Sequence, residues 1–203
     1  MILAYHAIFS TYGFWLPNDP RGSWSDYIRR WELLRFGRAT KTTLRRSLAR
    51  DEHDIPARLA AKGSLQHPPV LFTGQQALAV ARVFAHAGAE AGYVFHACSI
   101  LPEHVHLVIA RHERPIERIV AHLKARATQN LKGEGFHPPT APPSPWGRKG
   151  WNVYLNTPAA VLRAMEYVRD NPVKEGKPVQ RWSFVTPYGE TSAVQAPPLN
   201  GEV

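Results

Sequence analysis

Residues 93–110, YVFHACSILPEHVHLVIA, restrict the fold of this 203-residue chain more than any other stretch. Two β-rich apolar runs, 93–100 and 104–110, are separated only by Leu101, Pro102 and Glu103. That link is short enough for a hairpin, so the two runs read as an antiparallel pair. A hairpin this apolar needs cover, and the flanking segments supply it. TGQQALAVARVFAHAGAEAGY (73–93) predicts a helix, with Thr73 as N-cap and an apolar stripe of Leu78, Val80, Ala81, Phe84 and Ala85. PIERIVAHLKARATQNL (115–131) predicts another. Pro115 suits its first turn, and Ile116, Ile119, Val120 and Leu123 line its apolar face. His122, Lys124 and Arg126 lie off that stripe.

LAYHAIF (3–9) reads as a first strand and WNVYL (151–155) as a last one. STYGFWLPNDPRGSW (10–24) is a loop by its Gly and Pro content, and HPPTAPPSPWGRKG (137–150) a proline-rich connector with a basic end. TPAAVLRAMEYVRDNP (157–172) predicts a further helix, with Thr157 as N-cap and Pro158 at the first helical position. Its buried stripe would be Val161, Leu162, Met165 and Val168. It should end near Asp170 or Asn171, because Pro172 disfavours helical geometry in the residue before it. Strand–helix–strand–strand–helix–strand is the ferredoxin-like order. The expected fold is therefore α+β: an antiparallel sheet with helices on one face, plus the C-terminal helix that bears Tyr167. One domain over residues 1–180 is expected, with an arginine-rich insert at about 20–70, followed by a C-terminal tail over 181–203 whose end, TSAVQAPPLNGEV (191–203), should be loose.

Hydrophobic residues make up 44% of the chain, enough for a single core. The opening MILAYHAIFS has neither the basic nor the long apolar region of a signal peptide, and no apolar run has the length of a membrane helix. No membrane association is expected. The single cysteine, Cys98, excludes a disulfide framework and a thiolate zinc site, so a reducing cytoplasm is the simplest setting. Lys plus Arg number 25 against 16 acids, for a net charge of +9, which points to nucleic acid or another anionic surface as partner. Between 29 and 50 stand Arg29, Arg30, Arg35, Arg38, Lys41, Arg45, Arg46 and Arg50, with Glu32 the only acid before the run ends. A solvated helix face and a phosphate-contacting arm explain this run equally well.

Two histidines inside an apolar strand need an explanation. Side chains alternate along a strand, so Val105, Leu107 and Ile109 share one face, and His104 and His106 share the other. The two imidazoles stand about 6.5–7 Å apart along the strand. Such a pair can hold a divalent cation if a third ligand comes from elsewhere. On spacing alone, two surface histidines on a half-solvated sheet face remain the simpler account. The last helix offers Tyr167 and Asn171 at i and i+4, on one side and beside the buried stripe. An amide oxygen is a fair ligand for a hard cation such as magnesium. A core-edge tyrosine and an asparagine at the helix end are the plainer reading of each.

Together these residues resemble a known family. ILPEHVHLVI (100–109) resembles the HUH motif (His, hydrophobic, His) of single-tyrosine HUH transposases. EYVRDNPVKEGK (166–177) resembles their tyrosine helix, especially that of REP-associated tyrosine transposases, and FSTYGFWLPNDPRG (9–22) is similar to a segment near their start. The resemblance spans about residues 3–178. It departs at Glu103, where many relatives carry Asn, and in the arginine-rich insert and the proline-rich connector.

The resemblance implies metal-assisted cleavage and rejoining of single-stranded DNA, through a 5′-phosphotyrosine link, with hairpin or palindromic DNA recognised nearby. His104, His106 and Asn171 would then ligate Mg2+ or Mn2+, and Tyr167 would be the nucleophile, with Tyr154 and Tyr188 next in line. Arg29, Arg30, Arg45, Arg46, Arg50, Lys124, Arg126, Arg148 and Lys149 are the candidates for contact with the DNA backbone. Trp15, Trp24 and Trp31 could stack on bases. A cytoplasmic, nucleoid-associated location fits, and a homodimer is compatible, with Tyr167 acting in its own subunit or its partner's. Two other readings compete. A domesticated, non-catalytic DNA binder on the same fold would need neither Tyr167 nor the histidines. A phosphohydrolase that activates water would want more carboxylates near the metal.

Overall fold

A computed structural model describes residues 1–17, 19, 31–37 and 52–189. Strand β1 (Ala4–Thr11) leads, through a short 3-10 helix (Trp31–Phe36) and helix α1 (Ile55–Gly63), to helix α2 (Gly74–Ala91). Strands β2 (Phe95–Ile100) and β3 (His104–Ala110) follow, then helix α3 (Ile116–Gly133), strand β4 (Trp146–Leu155) and helix α4 (Pro158–Lys174). The sheet order is β2-β3-β1-β4. Each neighbouring pair is antiparallel. This is the ferredoxin-like arrangement that the element order predicts.

Alternation along β1 and β3 divides the core in two. Tyr5, Ala7, Phe9, Val105, Leu107 and Ile109 face α2 and α3, and pack with Phe84, Ile119, Leu123 and Trp146. Ala4 and Val108 face the other way, against Val161, Ala164, Met165 and Val168 of α4. The two long helices therefore share one face, and α4 covers part of the opposite one. It lies mainly over β2 and β3. Helix α2 begins with a full capping box, in which the Thr73 hydroxyl and the Gln76 side chain satisfy each other's backbone N–H groups.

Several sequence expectations need correction. Leu78 is exposed, and Ala79, Ala87 and Gly88 complete the buried stripe of α2 instead. Pro115 is the N-cap of α3, one position before its first turn. Strand β4 begins at Trp146, inside the stretch read as a connector. Two glycines hid it, because Gly in a strand pattern looks like a turn. They are there for close approach: a Cβ on Gly147 would lie 2.6 Å from the Ser10 hydroxyl, and one on Gly150 2.7 Å from the Ile8 carbonyl oxygen. Leu162 of α4 is exposed at 52%, and Ala164 takes its place in the stripe. A helix lying over two strands needs only a narrow stripe, and 161, 164/165 and 168 supply it.

Helix α4 also continues past its expected end. Pro172 sits within its last turn, and the helix runs to Lys174. The carbonyls of Asn171 and Pro172 accept from Glu175 and Lys177 N–H groups, so the turn is closed from its C-terminal side. Beyond it, Gln180 and the start of the expected tail, as far as Tyr188, pack along β2. The Gln180 amide exchanges two hydrogen bonds of 2.8 Å with the Ile100 backbone, and Thr186 N–H donates to the Phe95 carbonyl. Trp182, Phe184 and Val185 join the core beneath. That segment covers an edge strand that would otherwise expose backbone groups. Within the insert, Leu33 and Ala61 close a small cluster on Leu16. Among the described residues, no helix is long and apolar enough to cross a membrane.

Candidate active site

The hairpin delivers two imidazoles to the α4 side of the sheet. His104 opens β3 and His106 follows two residues later, with ring centroids 4.9 Å apart. Both are buried. The aromatic ring of Phe14 stacks on His104 at 5.3 Å, which fixes that ring from the loop after β1. The neighbouring strand adds a third imidazole, which the sequence reading missed. His6 Nε2 lies 3.0 Å from His106 Nδ1, within hydrogen-bond distance. The signal was present, since His6 is the one histidine in an otherwise apolar first strand. Only the pairing of β1 with β3 brings it to His106.

Helix α4 brings the other half. Tyr167, Asn171 and Glu175 are spaced i, i+4 and i+8, on one side of the helix. The Tyr167 ring lies 5.6 Å from His106 and 5.8 Å from His6, and is 43% exposed. Asn171 is buried, not merely beside the stripe, with its Nδ2 at 3.4 Å from His104 Nε2. Glu175 Oε1 is 3.6 Å from the same nitrogen. Glu175 escaped the sequence reading because the helix was expected to stop before Pro172. Lys174, also unremarked, holds its ammonium 5.1 Å from the Tyr167 ring centre.

Burial sets the protonation states. It lowers the His6 pKa to about 4. It lowers that of His106 well below the ordinary value, with further contributions from His104 and then His6. Both rings are therefore neutral near pH 7, as metal ligands and proton acceptors must be. Burial, and then Glu175, raise the pKa of the Tyr167 phenol. The hydroxyl at rest is protonated, and its attack needs a proton acceptor or a nearby cation.

A divalent cation fits this donor set. An imidazole, an amide and a carboxylate meet at His104 Nε2, and His106 stands alongside. Rotating the Asn171 amide by half a turn would put its oxygen where the nitrogen is, at no steric cost. Among the described residues, no three His, Cys, Asp or Glu side chains form a metal-binding group by themselves. The set therefore depends on the amide of Asn171. Mixed nitrogen and oxygen ligands suit Mn2+ and tolerate Mg2+.

The other expected contacts distribute differently. Arg29, Arg30, Arg45, Arg46, Arg50 and Trp24 lie outside the described residues. Lys124 is half-buried on the α2/α3 side. Its ammonium donates to the Gly147 carbonyl at 2.9 Å and lies over Phe9, and burial lowers its pKa to about 8. Arg126 pairs with Glu90 of α2 at 3.0 Å. Neither joins the histidine site. Arg148 is exposed on β4, and Lys149 follows it in the same strand. Trp31 is exposed, and Trp15 is half-buried beside Phe14. Tyr154 is exposed near Glu117, and Tyr188 packs on His96, so Tyr167 is the tyrosine that meets the histidine pair. A cavity of about 1480 Å³ opens at the far end of β3, lined by Tyr5, Arg111, His112 and Tyr154 among others, and none of the site residues lines it.

No family model matches the chain, and no curated protein does. Among solved structures it is similar to a REP-associated tyrosine transposase bound to a REP hairpin, at 12% identity and a TM-score of 0.45, covering 85% of this chain and 68% of that one. It is also similar to a transposase candidate from Deinococcus radiodurans, at 12% identity and a TM-score of 0.39, covering 84% and 91%.

Proposed function

We propose that this chain is a metal-dependent single-stranded DNA endonuclease and strand transferase that works through a 5′-phosphotyrosine on Tyr167. One observation carries the reading: a tyrosine on α4 lies against two neutral, buried imidazoles, one turn before an asparagine that contacts the third. A buried cluster of three histidines has little structural value, since each ring costs desolvation that an aliphatic side chain would not.

His104, His106 and Asn171 would hold Mg2+ or Mn2+, with Glu175 in reach. The cation would supply charge neutralisation and orientation of the scissile phosphate. Tyr167 Oη then forms a bond to phosphorus, and the bond from phosphorus to the 3′ oxygen breaks. The phenol gives up a proton, and the departing 3′ oxygen takes one, leaving a 3′-OH. The phosphodiester is exchanged rather than hydrolysed, so rejoining needs no external energy source. Lys174, over the Tyr167 ring, adds positive charge where the phosphate would lie. The surplus of 25 basic over 16 acidic residues favours the DNA backbone generally. Hairpin or palindromic DNA as the recognised form follows from the resemblance of the motifs.

An end-labelled oligonucleotide with a hairpin and a single-stranded flank tests this. Cleavage should require Mg2+ or Mn2+, stop with EDTA, and disappear in His104→Ala, while a plain duplex of the same sequence stays intact. Wild-type rates in EDTA or in His104→Ala would refute the metal-site reading.

A further inference from the structure

The contact between His6 and His106 assigns a role to His6 that neither the motif nor the metal set contains. We infer that His6 is a positioning residue: it accepts the Nδ1–H of His106 and so keeps the Nε2 lone pair of His106 directed at the cation. The inference rests on the proposed metal site.

The geometry leaves two arrangements. His6 Nε2 and His106 Nδ1 are 3.0 Å apart, and both rings are buried. Two lone pairs at that distance would repel, so one hydrogen lies between them. If His6 donates it, His106 accepts through Nδ1 and carries its own hydrogen on Nε2, where it cannot ligate. If His106 donates, its Nε2 holds the lone pair, and His6 carries its hydrogen on Nδ1. His104 already meets Asn171 and Glu175 through Nε2. Ligation by both rings through the same atom therefore requires the second arrangement. A metal-bound imidazole commonly gives its other N–H to a carboxylate or carbonyl. Here that acceptor is a second imidazole, held on β1 where His6 is in register with Val108, and Ile8, two residues on, with His106. In that arrangement His6 is not a third ligand, because its Nε2 accepts from His106 and its Nδ1 carries the hydrogen.

Long-range 1H–15N spectra of the full, metal-stripped chain read both tautomers directly. His6 and His106 should each carry the hydrogen on Nδ1. Finding His106 protonated on Nε2 would overturn the inference without any variant. Calorimetric titration with Mn2+ supplies a second readout on variants whose circular dichroism matches the wild type. His6→Leu should weaken Mn2+ binding by about 10- to 100-fold. His6→Gln, whose amide oxygen can accept the same hydrogen, should stay within a few-fold of wild type. Equal affinity in His6→Leu and wild type would overturn the positioning role and leave the metal site standing. Equal loss in His6→Leu and His6→Gln would also overturn it, since the accepted hydrogen bond would not be what matters. A wild type that binds no more Mn2+ than His104→Ala would overturn the metal reading and the inference with it.

Discussion

At the scale of single residues, the candidate site includes two histidines, His6 and His106, that burial keeps uncharged near pH 7. His6 shows what that costs. Its pKa is about 4 in the fold against 6.5 for an ordinary imidazole. Between those values the unfolded chain binds a proton that the folded chain refuses, so stability falls as pH drops from about 6.5 towards 4 and is intact above 6.5. The contribution of this one ring is roughly 3 kcal/mol at most. Thermal melts of the metal-free protein should therefore show a melting temperature that is level above pH 6.5 and declines below it, with a shallower decline in His6→Gln. A wild-type curve level down to pH 4.5 would contradict the buried neutral cluster. Alternation along a strand pairs His104 with His106 in the sequence, and i, i+4 spacing along a helix pairs Tyr167 with Asn171. Their expected roles came from the resemblance of the motifs, because spacing alone favoured plainer readings. The sequence reading could not reach His6 or Phe14, whose approach to the site depends on strand pairing and loop packing between residues about a hundred positions apart.

Elements explain why those residues keep their geometry. Tyr167, Asn171 and Glu175 ride on one helix, seated by Val161, Ala164, Met165 and Val168 on the sheet. Met165→Ala should cost roughly 2–5 kcal/mol. Leu162→Ala, on the exposed side, should change stability by no more than about 0.5 kcal/mol. Denaturant unfolding of both separates the observed stripe from the one expected from sequence, in which Leu162 was buried. The extension of α4 through Pro172 was equally hidden. The rule that a residue before proline avoids helical geometry is a tendency, and Asn171 is held helical by burial against the sheet. That one turn decides whether a carboxylate reaches His104. Strand β4 was half-legible, because Trp151–Leu155 are β-rich while Gly147 and Gly150 look like turn residues until their contact with β1 is seen.

For the whole molecule, element order alone was enough to predict the sheet, since a three-residue link between strands and two amphipathic helices leave few ways to close a core. Charge carries the remaining functional expectation. Lys124 and Arg126 have partners within the fold, which leaves the run at 29–50 and the β4 residues Arg148 and Lys149 as the candidates for the proposed contact with a DNA backbone. Replacing Arg45, Arg46 and Arg50 with Ala should weaken hairpin binding and flatten its salt dependence by about 0.9 per lost phosphate contact, while a saturating short single strand is still cut. Unchanged hairpin affinity and salt slope would shift the role to Arg148 and Lys149. The central claim, that Tyr167 is the nucleophile, has a more direct measurement. A single-stranded oligonucleotide labelled at its 3′ end is incubated with the protein and Mn2+, resolved under denaturing conditions, and the labelled protein band is digested with trypsin. The account predicts a covalent adduct on the peptide between Arg163 and Arg169, which contains Tyr167, and no adduct in Tyr167→Phe. An adduct that persists in Tyr167→Phe, or that maps to Tyr154 or Tyr188, would contradict it.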